Sequence, residues 1–163
     1  MKHIMGPNSN SKLSNVQDDD IQPNAVDLRI DKIFWIEPKA FIISEEEKKH
    51  RGSVEYVPDA DGWFTLPTGT YEIVMENIIE VGADEAGWVI TRSTLNRNGV
   101  FITSGLYDSG YHGVMAGALH VTSGPMQIKR GTRVGQFLLF KAEALKKYEG
   151  SYGLASEHDK KYT

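Results

Sequence analysis

The chain has 163 residues, 40% hydrophobic and 25% charged, with no cysteine and a formal net charge of -4 at pH 7. That length supports one domain with a real core and is short for two, and the acidic balance argues against a broad basic face for duplex nucleic acid. No apolar run approaches the ~20 residues of a membrane helix, and the missing cysteines exclude disulfides, a thiol nucleophile and thiolate metal sites, which fits a reducing, cytoplasmic setting.

Residues 1–20 are polar, contain no apolar leader segment and close on Asp18-Asp19-Asp20, so they are expected to form an N-terminal arm. The main domain is expected over 21–148. Its first strand is signalled by Val26, Leu28 and Ile30 alternating with Asp27 and Arg29, the period of a half-buried strand, and Lys32 to Ile36 continues the sheet. Glu45 to Arg51 is a charge run that predicts a solvated loop or a short helix. From Trp63 onward short strand-like runs follow one another: Tyr71 to Ile79, Trp88 to Thr91, Val100 to Thr103, Val114 to Val121, Met126 to Lys129 and Arg133 to Phe140. Glycine-bearing turns separate many of them, a pattern that predicts an all-β sandwich, jelly roll or barrel. Ala142 to Tyr148 predicts one or two helical turns, and the polar tail, 149–163, is expected to be mobile unless a ligand or a neighbouring subunit orders it.

The common phosphate-loop, zincin and nucleophile-elbow motifs are absent. The five histidines fall at no metal-ligand spacing, and a zinc-dependent nucleobase deaminase would need cysteines that the chain lacks. What remains is Gly105-Leu106-Tyr107-Asp108-Ser109-Gly110-Tyr111-His112-Gly113, where an acid and a phenol stand among three glycines. Glycine allows tight turns and close approach of the backbone to a ligand, so this stretch presents Asp108 and Tyr111 on a hairpin.

Three further blocks accompany it in order: Ile21-Gln22-Pro23-Asn24-Ala25-Val26-Asp27-Leu28-Arg29, Arg92-Ser93-Thr94-Leu95-Asn96-Arg97, and Gly131-Thr132-Arg133-Val134-Gly135-Gln136-Phe137. Together they resemble the trimeric dUTPase and dCTP deaminase superfamily, from about Ile21 to about Gly153. The resemblance implies a distorted β jelly roll or barrel, a homotrimer with active sites at subunit interfaces, and Mg²⁺ carried in on a triphosphate. It implies Asp108 as the acid that orients the attacking water and Tyr111 as the platform for a deoxyribose. Arg92, Ser93, Arg97 and Gln136 would bind the substrate, with Asp27 standing behind the metal rather than ligating it.

The same resemblance leaves the reaction open. The deaminases carry a Glu ten residues past the Asp of the hairpin, and here that position is Ala118, with His120 two residues on. The Ile21 block and the tail Lys147-Tyr148-Glu149-Gly150 are deaminase-like, while the glycine-rich closing arm of typical dUTPases is missing. Because alanine cannot move a proton, hydrolysis of dUTP to dUMP and pyrophosphate comes first. A dCTP deaminase making dUTP, or carrying it on to dUMP, is second, and a nucleotide-binding regulator without turnover is third. Uracil or cytosine preference is not legible in the sequence.

Overall fold

A computed structural model describes residues 1–162; Thr163, the last position of the tail, lies outside the described residues. Among the described residues twelve strands run in chain order: β1 (Lys12–Leu13), β2 (Val26–Ile36), β3 (Ile42–Ile43), β4 (Lys48–Lys49), β5 (Ser53–Glu55), β6 (Trp63–Leu66), β7 (Gly69–Glu80), β8 (Glu85–Thr91), β9 (Val100–Thr103), β10 (His112–Val121), β11 (Met126–Lys129) and β12 (Arg133–Lys141). One sheet carries the order β8-β12-β2-β7-β10-β9, with β1 added on β7 and β5 on β2. The neighbouring strands in it pair antiparallel.

The sheet curls until its two edges meet. Thr91 of β8 accepts from the Ile102 N–H at 2.7 Å and donates to the Ile102 carbonyl at 3.0 Å, while Ser104 Oγ accepts from the Val89 N–H at 3.1 Å. Side-chain hydroxyls thus replace ladder bonds where β8 faces β9, and the nearly closed barrel leaves little free edge. Inside lie Leu28, Ile30, Ile33, Tyr71, Ile73, Ile79, Met115, Leu119, Phe137 and Leu139, each 1% exposed or less. Within each strand they keep the even spacing read in the sequence, except between Ile30 and Ile33, where a register shift changes the phase.

Several elements differ from the sequence expectation. The two expected runs from Ala25 to Ile36 are one strand, bent by a register shift between Ile30 and Lys32 where it leaves β12 for β7. The charge run 45–51 contributes to a small exposed hairpin, with Ile42 and Ile43 paired to Lys49 and Lys48. No helix forms over 142–148: the Ala142 N–H is taken by the Asp84 carbonyl and the Tyr148 N–H by the Ser109 carbonyl, so tertiary bonds outcompete local ones. A one-turn helix α1 (Ser93–Asn96), which the strand pattern did not predict, follows β8.

Both ends of the chain pack on the barrel. Ile4 enters the core, Lys2 pairs with Leu139, and the Lys2 ammonium lies 2.6 Å from Glu85, a buried carboxylate that also accepts from Ser11 Oγ at 2.6 Å. Burial would raise the Glu85 carboxyl, but Lys2, Ser11 and the Asn10 N–H together hold it below its ordinary range. The tail crosses the hairpin and ends in a 3₁₀ turn, His158–Tyr162, on the outer face of β2, β7 and β10. The tail was expected to be mobile unless a ligand or a neighbouring subunit orders it; within the chain itself, Tyr162 buries its ring against Phe34, Val74 and Val114. No helix among the described residues is long and apolar enough to cross a membrane.

Candidate active site

The first cluster forms where β2 and β12 lie side by side, with Asp27 and Gln136 as register partners. Asp27 is 1% exposed; its Oδ1 accepts from Gln136 Nε2 at 3.0 Å, and its Oδ2 lies 3.2 Å from Arg92 Nε and 3.5 Å from Arg133 Nη1. A buried carboxylate persists only with such compensation, and the two guanidinium groups supply it. Arg92 and Arg133 remain partly exposed, about a third of each side chain facing solvent, so their outer N–H groups can meet an anion. Ser93 and Arg97 flank them at the first residue and the C-cap of α1, both exposed. Asp20 braces the arrangement from behind by holding Arg29 at 2.7 Å, while Arg29 donates to the Gly131 carbonyl at 2.9 Å.

The second cluster is the hairpin between β9 and β10. Gly110, at φ 87°, turns the chain, and the Tyr111 N–H returns to the Asp108 carbonyl at 3.0 Å. Tyr107 and Tyr111 point inward and are buried, their hydroxyls donating to Ala116 and Val114 carbonyls at 3.1 and 2.8 Å. Burial raises both phenols far above the usual range, so they stay protonated donors. Asp108 points the other way. It is exposed, and among the described residues nothing bonds to its carboxylate, which faces a broad cavity of about 590 Å³ lined also by Glu85, Leu106, Lys146 and Tyr148.

On the far side of the hairpin is a second cavity of about 360 Å³, walled by Gly105, Tyr107, Tyr111, Ala116, Gly117 and Tyr148 and closed by Glu72 and tail residues. Its volume is in the range of small-molecule sites. Ala118 lines a neighbouring cavity that shares Glu72, His50, Gly117 and His158 with this one, and its register partner across the sheet is Glu72. That carboxylate is engaged by Lys161 Nζ at 2.8 Å and by the Tyr162 hydroxyl. His120 is also engaged, its ring nitrogens 3.3 Å from Thr70 Oγ1 and 3.0 Å from Thr103 Oγ1.

The expected residues therefore form two groups rather than one. Arg92 follows the last residue of β8, whereas Asp108 adjoins Tyr107, which bridges to Gly87 near the start of that strand. Arg92 lies five residue steps beyond Gly87, about 17 Å at 3.3 Å per step. Sequence reasoning missed Arg133, Glu72 and the tail side chains His158, Asp159 and Tyr162. Glu72 and the tail residues lie outside the family blocks, and only the folded register brings them to the hairpin.

Among the described residues no cluster of three His, Asp or Glu side chains could hold a metal ion. Comparison with known proteins places the architecture. A family model described as dCTP deaminase-like matches residues 4–142. The chain is 31% identical over 140 residues, covering 85% of it and 90% of the relative, to a probable deoxyuridine 5'-triphosphate nucleotidohydrolase of Methanopyrus kandleri. It is 30% identical over 153 residues to the deoxyuridine 5'-triphosphate nucleotidohydrolase of Methanocaldococcus jannaschii, covering 91% of this chain and 97% of that one. Among solved structures, the 2'-deoxycytidine 5'-triphosphate deaminase of Agrobacterium tumefaciens aligns with 79% of this chain and 43% of its own at a TM-score of 0.61 and 18% identity. The dUTPase from phage phi11 of S. aureus aligns over 89% of this chain and 98% of its own at 0.53 and 12% identity. These structures share the distorted β-barrel, and with the family match they make the chain a member of the dCTP deaminase-like family, within the dUTPase and dCTP deaminase superfamily.

Proposed function

We propose that the chain hydrolyses dUTP to dUMP and pyrophosphate at sites shared between subunits of a homotrimer. The observation that carries the reading is the pairing of an exposed, unengaged Asp108 with a nucleoside-sized cavity behind the same hairpin. Archaeal relatives named for dUTP hydrolysis support it across most of the chain.

Each group has a chemical task. Arg92, Ser93, Arg97 and Gln136 bind phosphate oxygens, with Asp27 fixing the orientation of Arg92 and Gln136. Tyr111 backs the sugar, and Asp108 accepts a hydrogen bond from water and draws off its proton as the water oxygen bonds to the α-phosphorus and the α–β phosphoanhydride bond breaks, with pyrophosphate as the leaving group. Mg²⁺ fits this donor set only as a passenger on the phosphates, because Asp27 is 1% exposed, its Oδ1 accepts from Gln136 and its Oδ2 faces the Arg92 and Arg133 guanidinium groups, two cations that oppose a third. Bound there, the ion would neutralise developing phosphate charge. The separation of Arg92 from Asp108 along β8 favours assembly of each site from two copies of the chain.

Deamination of dCTP is the second reading, favoured by the family model and opposed by Ala118. Incubation with each deoxynucleoside triphosphate and Mg²⁺, measuring pyrophosphate and ammonia together, separates the two. Pyrophosphate from dUTP without ammonia from dCTP is the expected result, and ammonia from dCTP reverses the order.

A further inference from the structure

Lys48 and Arg51, from the basic half of the 45–51 charge run, serve neither cluster of the active site. In their hairpin the acidic residues occupy the turn, where Ser44 Oγ accepts from the Glu46 and Glu47 N–H groups at 3.2 and 3.0 Å. Lys48, Lys49, His50 and Arg51 follow on β4 and the link to β5, so the cations return toward the barrel. There they meet the far end of the chain. The His50 and His158 rings have centroids 4.8 Å apart, and Lys48 Nζ stands 5.2 Å from the centre of the Tyr152 ring.

Between hairpin and chain end lies a cavity of about 280 Å³, lined by His50, Arg51, His158 and Lys161, with Phe41 on its apolar side. Glu72 is its one carboxylate among the described residues, and it is already engaged by Lys161 Nζ at 2.8 Å and by the Tyr162 hydroxyl. The charge that remains on the lining is positive. Arg51 gives its Nε to the Lys39 carbonyl at 2.7 Å and lays its guanidinium 6.0 Å from the centre of the Phe41 ring, and its two Nη groups have no partner among the described residues. His158 commits Nδ1 to Asp159 at 3.0 Å and keeps Nε2 free, while neither nitrogen of His50 is bonded among the described residues. Lys161 retains a third N–H beyond those on Glu72 and on Ser53 Oγ at 3.0 Å.

These donors gather around one small space without acceptors to receive them. Desolvation first, and then the charges of His158, Lys48 and Lys161, hold the His50 imidazole below its ordinary range, with Glu72 acting against them. A chain of net charge -4 that concentrates unpaired cations in a concavity has the electrostatic form of an anion site. A guanidinium fork with imidazole and ammonium donors matches the oxygens of a phosphate group. A polyanion such as nucleic acid fits less well, because Glu45, Glu46 and Glu47 stand on the same hairpin.

We infer that the cavity between the β3–β4 hairpin and the final 3₁₀ turn binds a small phosphate-bearing anion through Arg51, Lys161, His50 and His158. Arg92, Ser93, Arg97 and Gln136 do not line it, so the inference stands whether or not the chain hydrolyses dUTP. The group recognised is the phosphate itself, carried free, as pyrophosphate or on a nucleotide.

The test uses the full chain with labelled histidines and three probes: inorganic phosphate, pyrophosphate and dUMP. Each is titrated at constant ionic strength while the imidazole signals are followed by NMR, with His50→Gln identifying the His50 signal. At least one probe should shift the His50 and His158 rings saturably and raise the pKa of His50. Its affinity should fall about tenfold in Arg51→Gln, with Arg51→Lys between that variant and wild type, and thermal melts should match because Arg51 is exposed on the hairpin. The shifts should persist in Arg92→Ala; their loss there would move the anion to the Arg92 cluster and overturn the inference. Preference for phosphate or pyrophosphate identifies a free anion, and preference for dUMP that Arg51→Gln removes identifies a nucleotide phosphate. Shifts that chloride reproduces, that never saturate or that both Arg51 variants leave intact overturn the site. So does a response to a single-stranded oligonucleotide with none to the three probes.

Discussion

Arg92 Nε and Gln136 Nε2 reach the same buried carboxylate from different strands, at 3.2 Å from Asp27 Oδ2 and 3.0 Å from Asp27 Oδ1. One acid thereby fixes a cation and an amide at the end of the barrel where phosphate is expected. Replacing it with Asp27→Asn keeps the shape and removes the charge that balances Arg92 and Arg133. Breaking a buried pair from one side costs about 3–5 kcal/mol, and the partial exposure of both arginines puts this case at the lower end. The variant should melt well below wild type, and its KM for dUTP should rise about tenfold or more as Arg92 and Gln136 lose their orientation. A wild-type KM in protein that has lost stability would mean that Asp27 serves the fold alone.

Asp108 sits apart from all such networks, so its substitution isolates chemistry from folding. Asp108→Asn keeps size and hydrogen bonding but cannot take a proton from water. We expect kcat for dUTP to fall by about 10²–10⁴-fold, with the melting temperature and the Kd for an α,β-imido analogue close to wild type. Steady-state kinetics and calorimetric titration check the two halves, and turnover near normal would remove Asp108 from the reaction.

The distance of about 17 Å along β8 between Gly87, where the hairpin is bridged, and Arg92 has its own consequence. If one copy supplies Arg92 and the next supplies Asp108, Arg92→Ala and Asp108→Asn proteins are each inactive but complement one another. Mixed after reversible dissociation in equal amounts, about a quarter of sites receive both intact side chains under closed ring symmetry. Activity recovered toward that fraction supports shared sites, whereas a mixture as dead as its parents returns Arg92 and Asp108 to one chain.

The sequence made the barrel strands legible because Val26, Leu28 and Ile30, like the inward residues of β7, β10 and β12, alternate with a period of two. The hairpin was legible through Gly105, Gly110 and Gly113, and Gly110 does take the positive φ that the turn requires. Two kinds of feature were not. The segment 142–148 has helix-forming residues, yet its N–H groups at Ala142 and Tyr148 find carbonyls far away in sequence, and local propensity does not register that competition. The cavity behind the hairpin depends on Glu72 facing Ala118 and on the tail returning to β7, pairings that a linear pattern does not contain. Candidate residues in family blocks were therefore easier to name than the wall opposite them.

Glu85 gives a prediction for pH. Burial works against its charge, but Lys2, Ser11 and the Asn10 N–H hold its carboxyl below the reference value of 4.5. A carboxyl lowered on folding contributes stability that is fully present above pH 4.5 and is lost as pH falls through the folded value. Removing the ammonium with Lys2→Met should cost about 2 kcal/mol at neutral pH, the scale of a hydrogen bond to a charged group. The gap between variant and wild type should hold from pH 7 down to about 5 and close below 4.5, as protonation of Glu85 makes the ammonium irrelevant. Urea unfolding at several pH values measures this directly. A gap that stays constant into acid would assign the contribution of Lys2 to packing of the N-terminal segment rather than to its charge.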